Sequence, residues 1–109
     1  MERKHLLRWA VNKCAVAHDA VFCDWLDEGQ LAIKKDNVPA LADMRMIAKS
    51  LLIDEYYEVA DEWGYITIIL YMNPEVGNIP YKEKIDWVGL ALALPAGSLD
   101  ELPQSILET

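Results

Sequence analysis

Beyond residue 23 the chain has no cysteine and no histidine, and between Lys49 and Lys82 it has no lysine or arginine. Zinc sites want three or four convergent ligands, and only Cys14 and His18, one turn apart on a helix, are spaced to share a face. His5 and Cys23 face elsewhere, so no metal site is expected. Cys14 and His18 also have the spacing of a nucleophile and its base, but they sit on an apolar stripe, where burial suppresses the thiolate. The five glycines, Gly29, Gly64, Gly77, Gly89 and Gly97, are too scattered for a phosphate-cradling loop, and no Asp-x-Asp-x-Asp-Gly calcium loop occurs. Repeats and low-complexity tracts are absent too. No catalytic residue or cofactor is therefore predicted.

Long apolar runs are also missing. The longest, Trp87 to Ala96, is half of the roughly 20 residues a membrane-spanning helix needs. Arg3, Lys4, Arg8 and Lys13 interrupt any apolar stretch behind the N-terminus, so no export signal is expected, and the reading is a cytoplasmic protein with reduced thiols.

What is present is a chain of 109 residues, 53% of them hydrophobic. That length suits one domain over residues 1–109. A domain so small leaves much of its surface in water, so this apolar content favours a homo-oligomer, most simply a twofold dimer. The charge is uneven: residues 1–50 carry eight bases and seven acids, residues 51–109 two bases and eleven acids, for a net −8. Such a field repels phosphate backbones and anionic lipid, which argues against direct nucleic-acid or membrane binding and leaves a basic protein partner compatible.

Along the chain, Leu7, Ala10, Val11, Cys14, Ala17, Val21 and Trp25 recur at helical steps, which predicts one long helix over about 3–27, stopped near Gly29. Trp9 and Val16 lie off that stripe and suggest a second contact face. Gln30 to Lys35 alternates as a short edge strand guarded by lysines. Asp36-Asn37 caps a second helix over about 38–53, with Pro39 in its first turn and a stripe of Ala40, Leu41, Met44, Ile47, Ala48 and Leu51. Tyr56 to Ala60 and Tyr65 to Met72 predict a hairpin turning at Asp61-Glu62-Trp63-Gly64, its second strand central in the sheet. Residues 73–84 read as a loop, and Asp86 to Leu94 as a strand. Ser98-x-x-Glu101 is a capping-box pattern that predicts a short closing helix over about 99–107. The fold class is thus α+β, with two main helices and a short C-terminal one packed on a small, mostly antiparallel sheet.

The most distinctive stretch is Asp54 to Trp63, where five carboxylates and three aromatics gather without a base. Carboxylates steer and orient a Lys/Arg-rich partner, while Tyr and Trp supply contact area at low entropic cost. This makes Asp54, Glu55, Tyr56, Tyr57, Glu58, Asp61, Glu62 and Trp63 the candidate partner-binding residues of a non-enzymatic acidic interaction protein. An inhibitor or immunity-type antagonist covering a basic surface would have this character. The competing expectation is a small-ligand-binding or enzymatic oligomer, with a pocket between the first helix and the sheet lined by His18, Trp25, Tyr71 and Trp87.

Overall fold

The computed structural model describes residues 3–19, 21–25, 28–53, 55–71 and 84–108. Helix α1 is Arg3–Ala17, strand β1 Val21–Trp25, strand β2 Glu28–Lys34, helix α2 Val38–Ser50, strand β3 Glu55–Ala60 and strand β4 Tyr65–Tyr71. Helix α3, Trp87–Ala93, a 3-10 turn at Ser98–Glu101 and the short helix α4, Gln104–Glu108, follow. The four strands form an antiparallel sheet in the order β1-β2-β4-β3. The protein is α+β, as its sequence pattern predicts. Leu31, Ile33, Ile68 and Leu70 on one face of the sheet join Leu6, Val11, Met44, Ile47 and Leu90 of the helices in a single core cluster. Helices cover that face alone among the described elements. The Cα envelope is accordingly a slab, 41 × 31 × 19 Å.

Helix α1 is shorter than its stripe predicts, ending at Ala17, and Asp19 turns the chain with a positive φ of 55°. Val21 to Trp25 instead pair with β2, from Val21 opposite Ala32 to Trp25 opposite Glu28. Residues four apart share a face in both helix and strand, so Val21 and Trp25 satisfy either pattern, and the β-branched and aromatic content of Val-Phe-Cys-Asp-Trp decides for strand. With β1 in place, β2 is an interior strand, not the edge its lysines suggest.

Helix α2 begins as expected. Asn37 caps it, its side chain accepting from Ala40 N at 3.3 Å, and Pro39 occupies the first turn. It ends at Ser50, short of the predicted Ile53, in a Schellman-type closure. Ile53 N donates to Ala48 O at 3.1 Å and Leu52 N to Lys49 O at 3.3 Å, with Leu52 at φ 56° where glycine usually sits.

The expected strand at 86–94 is a helix. Asp86 caps α3, its Oδ1 accepting from Gly89 N at 2.9 Å, while Asp86 N donates to Ser50 O at 3.1 Å at the end of α2. Capping and the helix propensity of Leu and Ala outweigh the alternation of Leu-Ala-Leu-Ala-Leu. Gly89 is needed here because a Cβ would stand 2.6 Å from Ser50 Oγ. The capping box at Ser98 does not form. Ser98 Oγ donates to Pro95 O, Glu101 pairs with Lys13, and Pro103 separates the 3-10 turn from α4, so one predicted helix becomes two short pieces.

Candidate functional site: the acidic hairpin

Strands β3 and β4 pair from Glu55 opposite Tyr71 to Ala60 opposite Ile66, as a hairpin closed by Asp61 to Gly64. The turn is held by one carboxylate. Asp61 Oδ1 accepts from both Trp63 N and Tyr65 N at 2.9 Å, Asp61 N donates to Tyr65 O at 2.9 Å, and Gly64 takes the required φ of 90°. The turn is also tied to the segment ahead of α2, since Lys35 N donates to Gly64 O at 2.9 Å and Lys35 Nζ to Asp61 O at 2.6 Å. Trp63 projects from this fixed tip with 79% of its surface exposed.

Strand alternation then sorts the candidate residues. Tyr56 and Glu58 share the helix-covered side with Ile66, Ile68 and Leu70, whereas Glu55, Tyr57 and Val59 lie on the open side with Tyr65, Thr67, Ile69 and Tyr71. On the open side Tyr57 is 52% and Val59 53% exposed. Tyr57 OH donates to Glu55 Oε2 at 3.0 Å, and that bond, with the charge of Glu55, raises the phenol's pKa. Glu62 is exposed at the tip, and Asp54 lies outside the described residues.

The base missing from the local sequence arrives from α2. Arg45 forms a two-pronged pair with Glu58, Nε to Oε2 at 3.0 Å and Nη2 to Oε1 at 2.7 Å. Hydrogen bonding to this guanidinium holds the Glu58 carboxyl below its ordinary pKa. Beside the pair, Tyr56 OH is buried with no hydrogen-bond partner, and burial first, then the Glu58 carboxylate, pushes the phenol up. Glu58 and Tyr56 therefore belong to the joint between hairpin and helix. Exposed in the hairpin beyond that joint are Glu55, Tyr57, Glu62 and Trp63, together with Val59 and Tyr65. Neither Val59 nor Tyr65 stands among the candidates the sequence pattern singles out. Alternation across the hairpin carries the signal, because it sets both on the side of Tyr57.

Of the four residues proposed to line a pocket, Trp25 and Tyr71 both stand in register with Glu28 at one end of the sheet, whereas His18 lies apart from Tyr71. His18 lines a cavity of about 340 Å³ with Asp19, Lys34, Asn37 and Tyr65, and its Nε2 meets Asp43 Oδ2 of α2 at 2.9 Å. Tyr71 ends the same strand six residues beyond Tyr65, about 20 Å away. Trp25 belongs to β1, and Trp87 opens α3 and packs on the core. The Cys14 thiol is buried, and burial with the nearby Asp43 charge pushes its pKa up to about 12, which disfavours the thiolate at neutral pH. A second hollow, about 450 Å³, runs between α1 and the Pro95–Glu101 stretch, where Trp9 and Val16 form its wall beneath the Lys13–Glu101 ion pair. Among the described residues no three His, Cys, Asp or Glu side chains are grouped to hold a metal, and no helix is long and apolar enough to cross a membrane.

Compared with known protein families, with curated proteins and with solved structures, the chain finds no match.

Proposed function

We propose that this chain is a non-enzymatic interaction protein whose β3–β4 hairpin covers a basic surface of a partner, in the manner of an inhibitor or immunity-type antagonist. The observation that carries the reading is Trp63, 79% exposed on a turn that hydrogen bonds hold in place. A tryptophan held rigid at the surface is the kind of aromatic anchor that dominates binding hot spots, and the carboxylates around it would steer a cationic partner. Tyr57, Val59 and Tyr65 extend the apolar area, and Glu55 and Glu62 supply charge that no base of the hairpin neutralises. Net −8 adds long-range attraction toward a cationic partner.

The test is recovery of partners from the native host's lysate on immobilised protein, eluted by salt, in parallel with a Trp63→Ala/Glu55→Gln/Glu62→Gln variant. A basic protein retained by the first column and lost from the second supports the reading. Equal retention on both columns overturns it.

A second reading rests on the cavity beside His18, where Asp43 fixes the imidazole and Lys34, Asn37 and Tyr65 add polar groups. Such a wall suits a small polar metabolite, as ligand or substrate. A thermal-shift screen with concentration-dependent stabilisation, lost in His18→Gln, would favour it over the hairpin.

A further inference from the structure

The place of β3 in the sheet specifies how the proposed hairpin surface would engage its partner, an inference that rests on the hairpin reading. In the order β1-β2-β4-β3 this strand is an edge, hydrogen-bonded to β4 alone among the described strands. The bond from Asp61 N to Tyr65 O fixes the parity of the ladder. In an antiparallel pair, hydrogen-bonded and non-hydrogen-bonded residues alternate, so Glu55, Tyr57 and Val59 turn their backbone groups toward β4. Tyr56, Glu58 and Ala60 turn theirs outward, giving three N–H donors and three C=O acceptors in a row.

Free edges are ordinarily blunted by lysine, proline or a bulge. β3 has none of these: its sequence is Glu-Tyr-Tyr-Glu-Val-Ala, and its register with β4 is unbroken over six residues. Its own charged groups are carboxylates, and with Glu58 already paired to Arg45 the uncompensated ones are Glu55 and, just past the strand, Asp61. A guard of one sign repels acidic strands and admits basic ones.

We infer that the β3 edge receives an extended, lysine- or arginine-bearing segment of the partner as a fifth strand, pairing with the outward backbone groups of Tyr56, Glu58 and Ala60. A second copy of this chain is the poorer occupant on electrostatic grounds. The antiparallel register that aligns all three outward residues sets Tyr56 opposite Ala60, Glu58 opposite its own counterpart and Glu55 opposite Asp61. Like charges directly across a strand pair destabilise it. A basic segment reverses those terms, its cations meeting Glu55 and Asp61 while apolar residues between them lie along Tyr57 and Val59 on the open side. Backbone pairing supplies affinity and the alternating side chains supply selection.

The test uses the full chain and blocked heptapeptides with lysine at positions 1 and 7, Val, Leu, Ile, Phe or Tyr at positions 3 and 5 and threonine between, with peptides carrying glutamate in place of both lysines as the control. Amide hydrogen exchange followed by NMR is the readout. In the free protein the Tyr56, Glu58 and Ala60 amides should exchange much faster than those of Tyr57 and Val59. At least one lysine peptide should slow the three outward amides tenfold or more, and the glutamate peptides should not. Ala60→Pro removes one outward donor and leaves the β4 ladder intact, so it should weaken peptide binding at least tenfold. Methylating alternate backbone nitrogens of the peptide should do the same without altering the protein.

Failure of every lysine peptide to protect those amides at millimolar concentration overturns strand addition. So does protection that survives peptide methylation, or protection that grows with protein concentration while the mass doubles, which would mark a second copy as the occupant. The lysate experiment is independent of this result. A basic partner lost on Trp63→Ala/Glu55→Gln/Glu62→Gln but kept on Ala60→Pro would leave the hairpin reading standing and strand addition refuted.

Discussion

The two faces of the sheet are built from similar residues and meet opposite fates. On β4, Ile68 and Leu70 point into the core with no exposed surface, while Tyr65 and Ile69 point the other way, Tyr65 being 38% exposed. On β3 the two sides carry matching residues, Tyr56, Glu58 and Ala60 toward the helices and Glu55, Tyr57 and Val59 on the open side, and of the six only Tyr56 is not exposed. Its inner carboxylate meets an arginine from α2, and its outer Tyr57 and Val59 stay about half exposed.

The contrast can be broken most severely from the covered side. Ile68→Ala should cost about 2–5 kcal/mol in denaturant unfolding, the range for a buried large-to-small change. In a Cys23→Ser background the same variant should expose Cys14 to thiol reagents far faster than the parent, because a thiol pushed to about 12 in the fold reacts only once the core opens. Parental labelling rates would show that Ile68 does not hold the layers together.

A smaller effect is expected where the two faces meet. Tyr56 OH is buried and unpartnered, so Tyr56→Phe should leave stability unchanged or raise it by up to about 1 kcal/mol. A clear loss in calorimetry would mean the hydroxyl bonds to the Arg45–Glu58 pair. The pair itself is tested by acid. Its carboxyl lies below the ordinary value of 4.5, so Glu58 stabilises the fold above that pH, and the contribution is lost as pH falls through the lower folded value. Between neutrality and pH 3, Glu58→Gln should therefore lose less stability than the parent, and parallel curves would show that the pair adds nothing to the acid response.

Least should happen on the open side. Val59→Thr and Trp63→Ser should each change stability by no more than about 0.5 kcal/mol, since their side chains are more than half exposed. A large loss from either would show that the open face already serves the free protein.

Much of this organisation is legible in the sequence. The hairpin, the cap at Asn37 and the central place of β4 follow from alternation and turn chemistry confined to neighbouring residues. Val21 and Trp25 mislead because a four-residue step fits both periodicities, and Trp87 to Ala93 because alternation conceals the cap at Asp86. The hardest feature is Arg45. It lies 13 positions from Glu58, and no local pattern says that a helix will swing its guanidinium onto the hairpin. The acidic and aromatic residues on either side of Val59 are visible as a cluster; their division between joint and open face requires the register.

The sheet order also bears on how the chain reaches this state. The β2–β4 ladder joins residues 31 to 43 positions apart, from Lys34 with Tyr65 to Glu28 with Tyr71, whereas β3 and β4 meet across a single turn. Closing the longer loop carries the greater entropic penalty, so the hairpin is the cheaper contact to form and β2 joins once helix α2 has shortened the path. The segment proposed to meet a partner is thus also the one best placed to template the sheet, and substitutions in its turn should slow refolding more than they speed unfolding.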